Sequence, residues 1–536
     1  MINSSIRNLR AGLFGENWLC RWLGIFGLIV LFVALRWNNF NAPLTRDEGE
    51  YAYAAQLLEH GMVPYESAFI QKPPMVFYSY ELSNFFLPHI FWAPRILACV
   101  FVALSTVLLG FIARVEFGTG FALPTMWLVT PMLLLPGIEQ FTANTEMFML
   151  LPLLGTVAIY CHSRQHGHKA EHWFAAGLLG AGTLLYKYTA LPVLLFVYVV
   201  WSIEMWCANK KISSLCRCWL SAFVGGSLAA IAILGLFLLR DGGTRFWECT
   251  VLFNRYYTQL GLFGVAEFSS RLEGFWSEWW ILFLIPWAAL LKPNPRTFFW
   301  LGLFVCATFA TGASGYGHYY IVMTPFWALL TIIGVHSLAS TAVRQSARPS
   351  KWLAPMLAAV VVILVMRPDV PWIIHTPGSF AEDKLGKWNP FLESPLVAKR
   401  VAELSSPHDF VYVAGSEPQI LYYAGRFSPT RFITVYPFMY PPAPVAKIYQ
   451  EEAIRDLEKN PPSLIVLVQS ATSWPSLATT PPDFSIFLSR LLKQNYNLVG
   501  GYISDEKEGR WSEPLAENEI ASASLVLFKR KPQPLQ

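Results

Sequence analysis

The sequence predicts a polytopic α-helical membrane protein that carries a C-terminal extracytoplasmic α/β domain. Three observations lead there. Of 536 residues, 54% are hydrophobic and only 14% charged, with a mean hydropathy of +0.40; a soluble domain carries about 25% charged residues. Apolar runs close to the ~20 residues that cross a bilayer fill the first two-thirds of the chain and stop near Met366. Beyond that point short β-type runs alternate with helical ones. The charge deficit excludes an ordinary cytosolic enzyme and a disordered protein, and a net charge of +5 is too small to point to nucleic acid. Aromatic residues, 15% of the chain with 21 Trp, suit a protein anchored at many membrane interfaces.

The apolar runs place spans at 20–37, 93–113, 119–137, 146–161, 173–186, 190–207, 218–239, 276–291, 297–311, 320–338 and 353–367, about eleven helices. Lys and Arg set the orientation. With a cytoplasmic N-terminus, the inside segments hold 14 of them, from Arg7 and Arg10 to Arg348 and Lys351. The outside loops hold seven: Arg46, Lys72, Lys187, Arg240, Arg245, Arg255 and Arg271. An odd helix count then puts the tail outside. The first span is followed by Arg36-Trp37-Asn38-Asn39 rather than a small-residue cleavage site, so it reads as an uncleaved anchor. The expected division is a membrane part, residues 1–367, with a long outside loop at 38–92, and an outside domain, residues 368–536.

In the tail, 410–414, 463–468 and 524–528 read as strands, and 399–403, 417–425, 448–459 and 484–494 as helical. The Pro-rich stretch 437–444 reads as a loop. None of the eight cysteines lies in the tail, so disulfides do not hold it. His162, His166, His168 and His172 have metal-like spacing, but Gly167 interrupts any helix, and the segment reads as a basic, solvated loop.

The outside loop after the first span holds the most informative segment. Thr45 and Glu48 have capping-box spacing, and Gly61 with Pro64 supplies a stop. Tyr51, Ala54, Ala55 and Leu58 recur at helical spacing, which predicts an amphipathic helix lying on the membrane part. Asp47 sits one turn before Tyr51, in line with the apolar face. A carboxylate there is costly unless something pairs or uses it. Two readings stand for it: an acid favoured by the helix dipole, or a functional carboxylate. Glu48 and Glu50 fit the capping reading more readily. Downstream, Gln71-Lys72-Pro73-Pro74 places an ammonium at headgroup depth, where it either meets a lipid phosphate or snorkels.

These segments together resemble the GT-C glycosyltransferases, in the branch of bacterial protein mannosyltransferases and the aminoarabinose transferase of lipid A. The acidic pair Asp47-Glu48 opening a long first loop, followed by Lys-Pro-Pro, carries most of the likeness. Asn144-Thr-Glu146, Tyr186-Lys187, Gly317-His-Tyr-Tyr320 with Pro325, and the tail segment 415–426 also fit. The resemblance implies a GT-C membrane domain. It also implies transfer of a sugar from a polyprenyl-phosphate carrier to an acceptor outside the membrane, with inversion at the anomeric carbon. The expected partners are that donor, an acceptor that is a protein, lipid or glycan, and membrane lipids, in a bacterial inner membrane.

Such a reaction needs a base for a hydroxyl acceptor and cations for the leaving phosphate. Asp47 is the expected base, and Glu48 the neighbour that orients the acceptor or pairs with Arg46. Lys72 leads the donor phosphate-binding candidates, followed by Lys187, Arg245 and Arg255. Tyr51, Glu146, His318 and Tyr319 are candidate sugar or acceptor contacts. No metal or other cofactor is expected. The rival function is a transporter or flippase of a lipid-linked sugar. That reading calls for ionisable groups near the bilayer midplane, whereas the acids here cluster in a loop.

Overall fold

The computed structural model describes residues 18–88, 90–239, 242–259, 265–311, 316–345, 353–386, 389–475, 477–503 and 509–532. Arg7, Arg10, Arg240, Arg348 and Lys351, which contribute to the orientation reading, lie outside the described residues. The chain divides into two compact units. One comprises residues 1–40, 95–233 and 263–375, and the other 41–94, 234–262 and 376–536. The second unit therefore takes in the first loop and a segment near residue 250 together with the tail, where the sequence suggested the tail alone.

The first unit is helical. A helix meets each of the eleven apolar segments, from Trp18–Ala34 through Leu353–Met366. Among the described residues, seven stretches are long and apolar enough to cross a membrane: Ala93–Phe117, Thr145–His166, Tyr188–Ala208, Ile212–Gly235, Ser269–Leu291, Gly317–Ala342 and Leu353–Ile374. Trp22–Ala34, Thr119–Leu134 and Pro295–Ala310 are shorter apolar helices. Side chains such as Val107, Phe223, Ile231 and Ile363 are more than half exposed, as expected of helices whose solvent is lipid.

The helix Thr324–Gln345 is central, with Phe326, Ala328, Leu329 and Ile332 fully buried. The neighbouring segment 276–291 is not one straight helix. It is helical to Leu284, with a break at Trp279, and continues as a 3-10 turn, Ile285–Leu291. Pro286 has no N–H to give the carbonyl of Leu282. The indole N–H of Trp327 takes that place, donating to Leu282 O at 2.7 Å. Small residues let Ala170–Tyr186 and Ile212–Leu239 touch backbone to backbone: a Cβ on Gly177 would lie 2.0 Å from Ala222 O.

The second unit contains the five-stranded sheet, ordered β1-β2-β5-β3-β4. Its strands are β1 Val411–Ala414, β2 Leu464–Val468, β3 Tyr496–Ile503, β4 Arg510–Ser512 and β5 Ala523–Arg530. Among these strands β1 and β2 pair in parallel, while β2 with β5, β5 with β3 and β3 with β4 pair antiparallel. The helices Ser394–Leu404, Gln419–Ala424, Ala443–Lys459 and Asp483–Asn495 meet the helical expectations. The sequence reading missed β3 and β4, because the Gly500-Gly501 pair weakens the strand signal of one and the other has three residues. The Pro-rich stretch is also more ordered than expected. Tyr436–Met439 forms a helical turn and Pro442 opens the helix Ala443–Lys459, proline being tolerated in a first turn.

Within the same unit lies the first-loop helix, Arg46–Glu59. It is not the one-sided amphipathic helix expected. Tyr51, Ala52, Tyr53, Ala54, Ala55 and Leu57 are at most 1% exposed, while Leu58 is only half-buried. The tail covers the side assigned to solvent. Gly49 faces Gln419 so closely that a Cβ would lie 2.5 Å from the Gln419 Cβ. The Tyr53 hydroxyl accepts from the Ser428 amide at 3.0 Å.

Candidate functional site

The start of the helix Arg46–Glu59 is set by its own side chains. The Glu48 carboxylate accepts from the Thr45 amide at 3.1 Å and from its hydroxyl at 3.2 Å, so the expected capping acid is in place. Arg46 turns to the tail. It forms an ion pair with the fully buried Glu417, donates to Ser416 O at 2.5 Å, and donates to Asn389 Oδ1 at 3.1 Å. Glu417, and not Glu48, is thus the acid that holds Arg46. Asp47, between these two anchors, is half-buried.

One turn on is Glu50, which the sequence reading passed over as a dipole-stabilising acid. It is 6% exposed. Its carboxyl is pushed up to about 8, first by burial and then by the charge of Asp47; Lys72 and the Gln71 backbone N–H pull the other way. Lys72 is itself 6% exposed. The loop carrying it is held from both sides: Tyr65 donates to Lys72 O at 2.8 Å, and Asn254 donates to Gln71 O at 2.8 Å. Asp47, Glu50 and Lys72 therefore form one electrostatic group on two anchored segments. Glu50 and Gln71 also border a small void with Phe69, Phe253, Thr434 and Tyr436. The i, i+3 spacing of Asp47 and Glu50 was the available sequence signal.

Other expected members are placed elsewhere in this unit. Tyr51 is 1% exposed and packs edge-on against Tyr80, with ring centroids 5.7 Å apart. Arg245 is paired with Glu248 at 3.0 Å and Glu452 at 3.2 Å. Those acids also hold Arg431, which reaches Glu248 at 3.0 Å and Glu452 at 2.7 Å and stacks over Phe69 and Phe432. Arg245 thus belongs to a structural network between tail and loops, which explains why it need not face a phosphate. Arg255 is exposed.

In the first unit, a second polar cluster gathers four expected residues. Lys187 forms an ion pair with Glu146; the two side chains are 8% and 2% exposed. Thr145 donates to the other Glu146 oxygen at 2.9 Å. The Lys187 ammonium lies 3.2 Å from the centre of the Tyr319 ring. His318 Nδ1 is 2.7 Å from Glu139 Oε2. Lys187, expected at a donor phosphate, thus has a carboxylate partner within the protein. Its charge is balanced there, which a buried ammonium requires.

The family model of dolichyl-phosphate-mannose-protein mannosyltransferases matches residues 71–225, a stretch that opens at Gln71-Lys72 and includes Glu146 and Lys187. No curated protein sequence matches the chain. Among solved structures, ArnT from Cupriavidus metallidurans in the apo state superposes with a TM-score of 0.53 at 13% identity, covering 95% of this chain and 97% of that one. The same protein bound to undecaprenyl phosphate gives 0.54 at 12% identity, covering 94% and 99%. The chain has the GT-C fold. The Archaeoglobus fulgidus oligosaccharyltransferase tethered with an acceptor peptide is also similar, with a TM-score of 0.51 at 12% identity, covering 94% of this chain and 75% of that one. The chain is an integral membrane protein with a C-terminal sheet domain.

Proposed function

We propose that the protein transfers a sugar from a polyprenyl-phosphate carrier to an acceptor at the extracytoplasmic face of a bacterial inner membrane. The observation that carries this reading is the grouping of Asp47 and Glu50 with the buried Lys72 on two anchored loop segments. The family match beginning at Gln71 and the likeness to a protein bound to undecaprenyl phosphate support it.

In this reading Lys72 meets the carrier phosphate and stabilises the charge that grows on it as the glycosidic bond breaks. The acceptor hydroxyl attacks the anomeric carbon from the opposite side and inverts it. Its proton passes to the Asp47 carboxylate, and the bonding pair leaves with the phosphate oxygen. Glu50 keeps its proton up to about pH 8, which limits the negative charge beside Lys72. Glu48 caps the helix that aims Asp47, and Arg46 ties the same turn to the tail.

The test is carrier binding and carrier release. Purified protein in nanodiscs should bind undecaprenyl phosphate, and Lys72→Gln should weaken binding at least tenfold, the loss of a charge-assisted contact worth roughly 1.5–3 kcal/mol. Given carrier-linked sugars and acceptor from membrane extract, the wild type should liberate free carrier phosphate. Equal binding by Lys72→Gln, or no liberation by any extract, would contradict the reading.

A further inference from the structure

In the second unit the helix Met75–Phe86, and not Arg46–Glu59, turns an apolar face outward. Val76, Phe77 and Tyr80 of this helix are fully buried. Its polar side is tied inward, Asn84 donating to Glu59 Oε1 at 2.9 Å. Leu82, Phe85 and Phe86 stand at i, i+3 and i+4 and share one face of the last turns. All three are exposed, Phe85 to 78% and Phe86 to 69%. Single apolar side chains on a surface need no explanation, but several together mark a site of interaction.

The neighbouring chain shows what covers this face. Residues 87–92 link it to Ala93–Phe117, a stretch long and apolar enough to cross a membrane. A link of that length reaches at most about 25 Å, and its last residue is Trp92, a residue type enriched at membrane–water interfaces. The end of a second such stretch, Ile212–Gly235, meets the same helix. The helix containing that stretch runs on to Leu239. Phe237 in its last turn packs against Tyr78, with ring centroids 6.3 Å apart, and Tyr78 is one turn before Leu82. Leu238 and Leu239 follow, both exposed, Leu239 to 87%. Residues 41–94 and 234–262 belong to one compact unit, so the exposed face and both span ends are in the same body. Lipid around the two spans is thus continuous with this face. The helix has twelve residues with one charged group, Glu81, so its attraction to a bilayer is apolar rather than electrostatic.

We propose that Leu82, Phe85, Phe86, Leu238 and Leu239 form a foot inserted among phospholipid acyl chains beside the two span ends. Lys72 precedes the opposite end of the same helix, and twelve residues of α-helix measure about 18 Å. The foot therefore limits how far Lys72 can stand from the bilayer.

Photocrosslinking tests the lipid contact without any sugar-transfer assay. The whole protein, in phosphatidylglycerol nanodiscs, carries p-benzoylphenylalanine in place of Phe85 or Phe86, both exposed positions where the probe displaces no packed neighbour. Phe223, largely exposed within a span, is the positive reference; Ile448 and Ile486, each more than half exposed in the tail, are the negative ones. After illumination, mass spectrometry should find lipid adducts at Phe85 and Phe86 within twofold of the yield at Phe223. That yield should be at least fivefold above Ile448 and Ile486, with the new bond on the acyl chain. Yields at both phenylalanines no higher than at the tail positions would overturn the proposal. Adducts confined to the headgroup would overturn insertion among the acyl chains. Chain-to-chain adducts in place of lipid adducts would give the face to a second copy and overturn the proposal equally.

Discussion

Glu50 decides how much negative charge stands beside Lys72. Below about pH 8 its carboxyl holds a proton because burial and the Asp47 charge both disfavour ionisation. Above that it becomes a second anion facing Lys72. The second ionisation of a phosphate monoester falls near pH 6, roughly, so a carrier phosphate is a dianion across this window and does not change charge within it. The groups that remain are Asp47, Glu50 and Lys72 with the Gln71 N–H. Carrier affinity should therefore fall as pH rises from 7 to 9, and Glu50→Gln should flatten that profile. Titration of undecaprenyl phosphate into both proteins at the two pH values checks this; parallel profiles would contradict it. At this scale the sequence was readable where the residue types are unusual, as at Asp47 and Lys72. It was not readable for Glu50, whose buried surroundings include Phe69, Gln71 and Thr434, drawn from segments distant in sequence. Nor did it show that Arg245 was engaged, since its partner Glu452 is 207 residues away.

The helix Arg46–Glu59 carries two of the reacting group's three members, and its fit against the tail fixes their position. Its capping box was legible because Thr45 and Glu48 are local to each other. Its burial was misjudged because the tail helix Gln419–Ala424 covers a face that periodicity assigns to water. Gly49→Ala would drive a methyl group to 2.5 Å from the Gln419 Cβ and 2.6 Å from its amide nitrogen. The expected cost is about 1–3 kcal/mol from overpacking, read as a lower unfolding temperature, with faster proteolysis of the tail. The cation at Arg431 has a comparable role in the segment Glu248–Leu252. Arg431→Met should destabilise by about 3 kcal/mol, because it removes the buried one of the two cations that Glu248 and Glu452 share and leaves them with Arg245 alone. Adding Glu452→Gln should recover part of that loss, and thermal unfolding of the single and double variants measures both. If Arg431→Met were neutral, the network would not be what joins these segments.

At the scale of the whole molecule, the membrane architecture followed from apolar run lengths, which is why every expected segment meets a helix. The domain partition did not follow, because three chain segments distant in sequence build one unit. Phe432 and Tyr449 of the tail pack on Phe69 of the first loop. Residues 376–536 produced alone should accordingly show weak amide protection and bind a dye for exposed apolar surface; a cooperative unfolding transition for that fragment would argue otherwise. In the proposed mechanism a loop carboxylate beside a buried lysine performs sugar transfer from a lipid carrier. The most direct measurement compares wild type and Asp47→Asn in nanodiscs, recording both sugar transfer to a hydroxyl acceptor and binding of undecaprenyl phosphate. Loss of the base should lower transfer by about 10²–10⁴-fold while carrier affinity stays within a few-fold. Transfer at the wild-type rate by Asp47→Asn would contradict the claim.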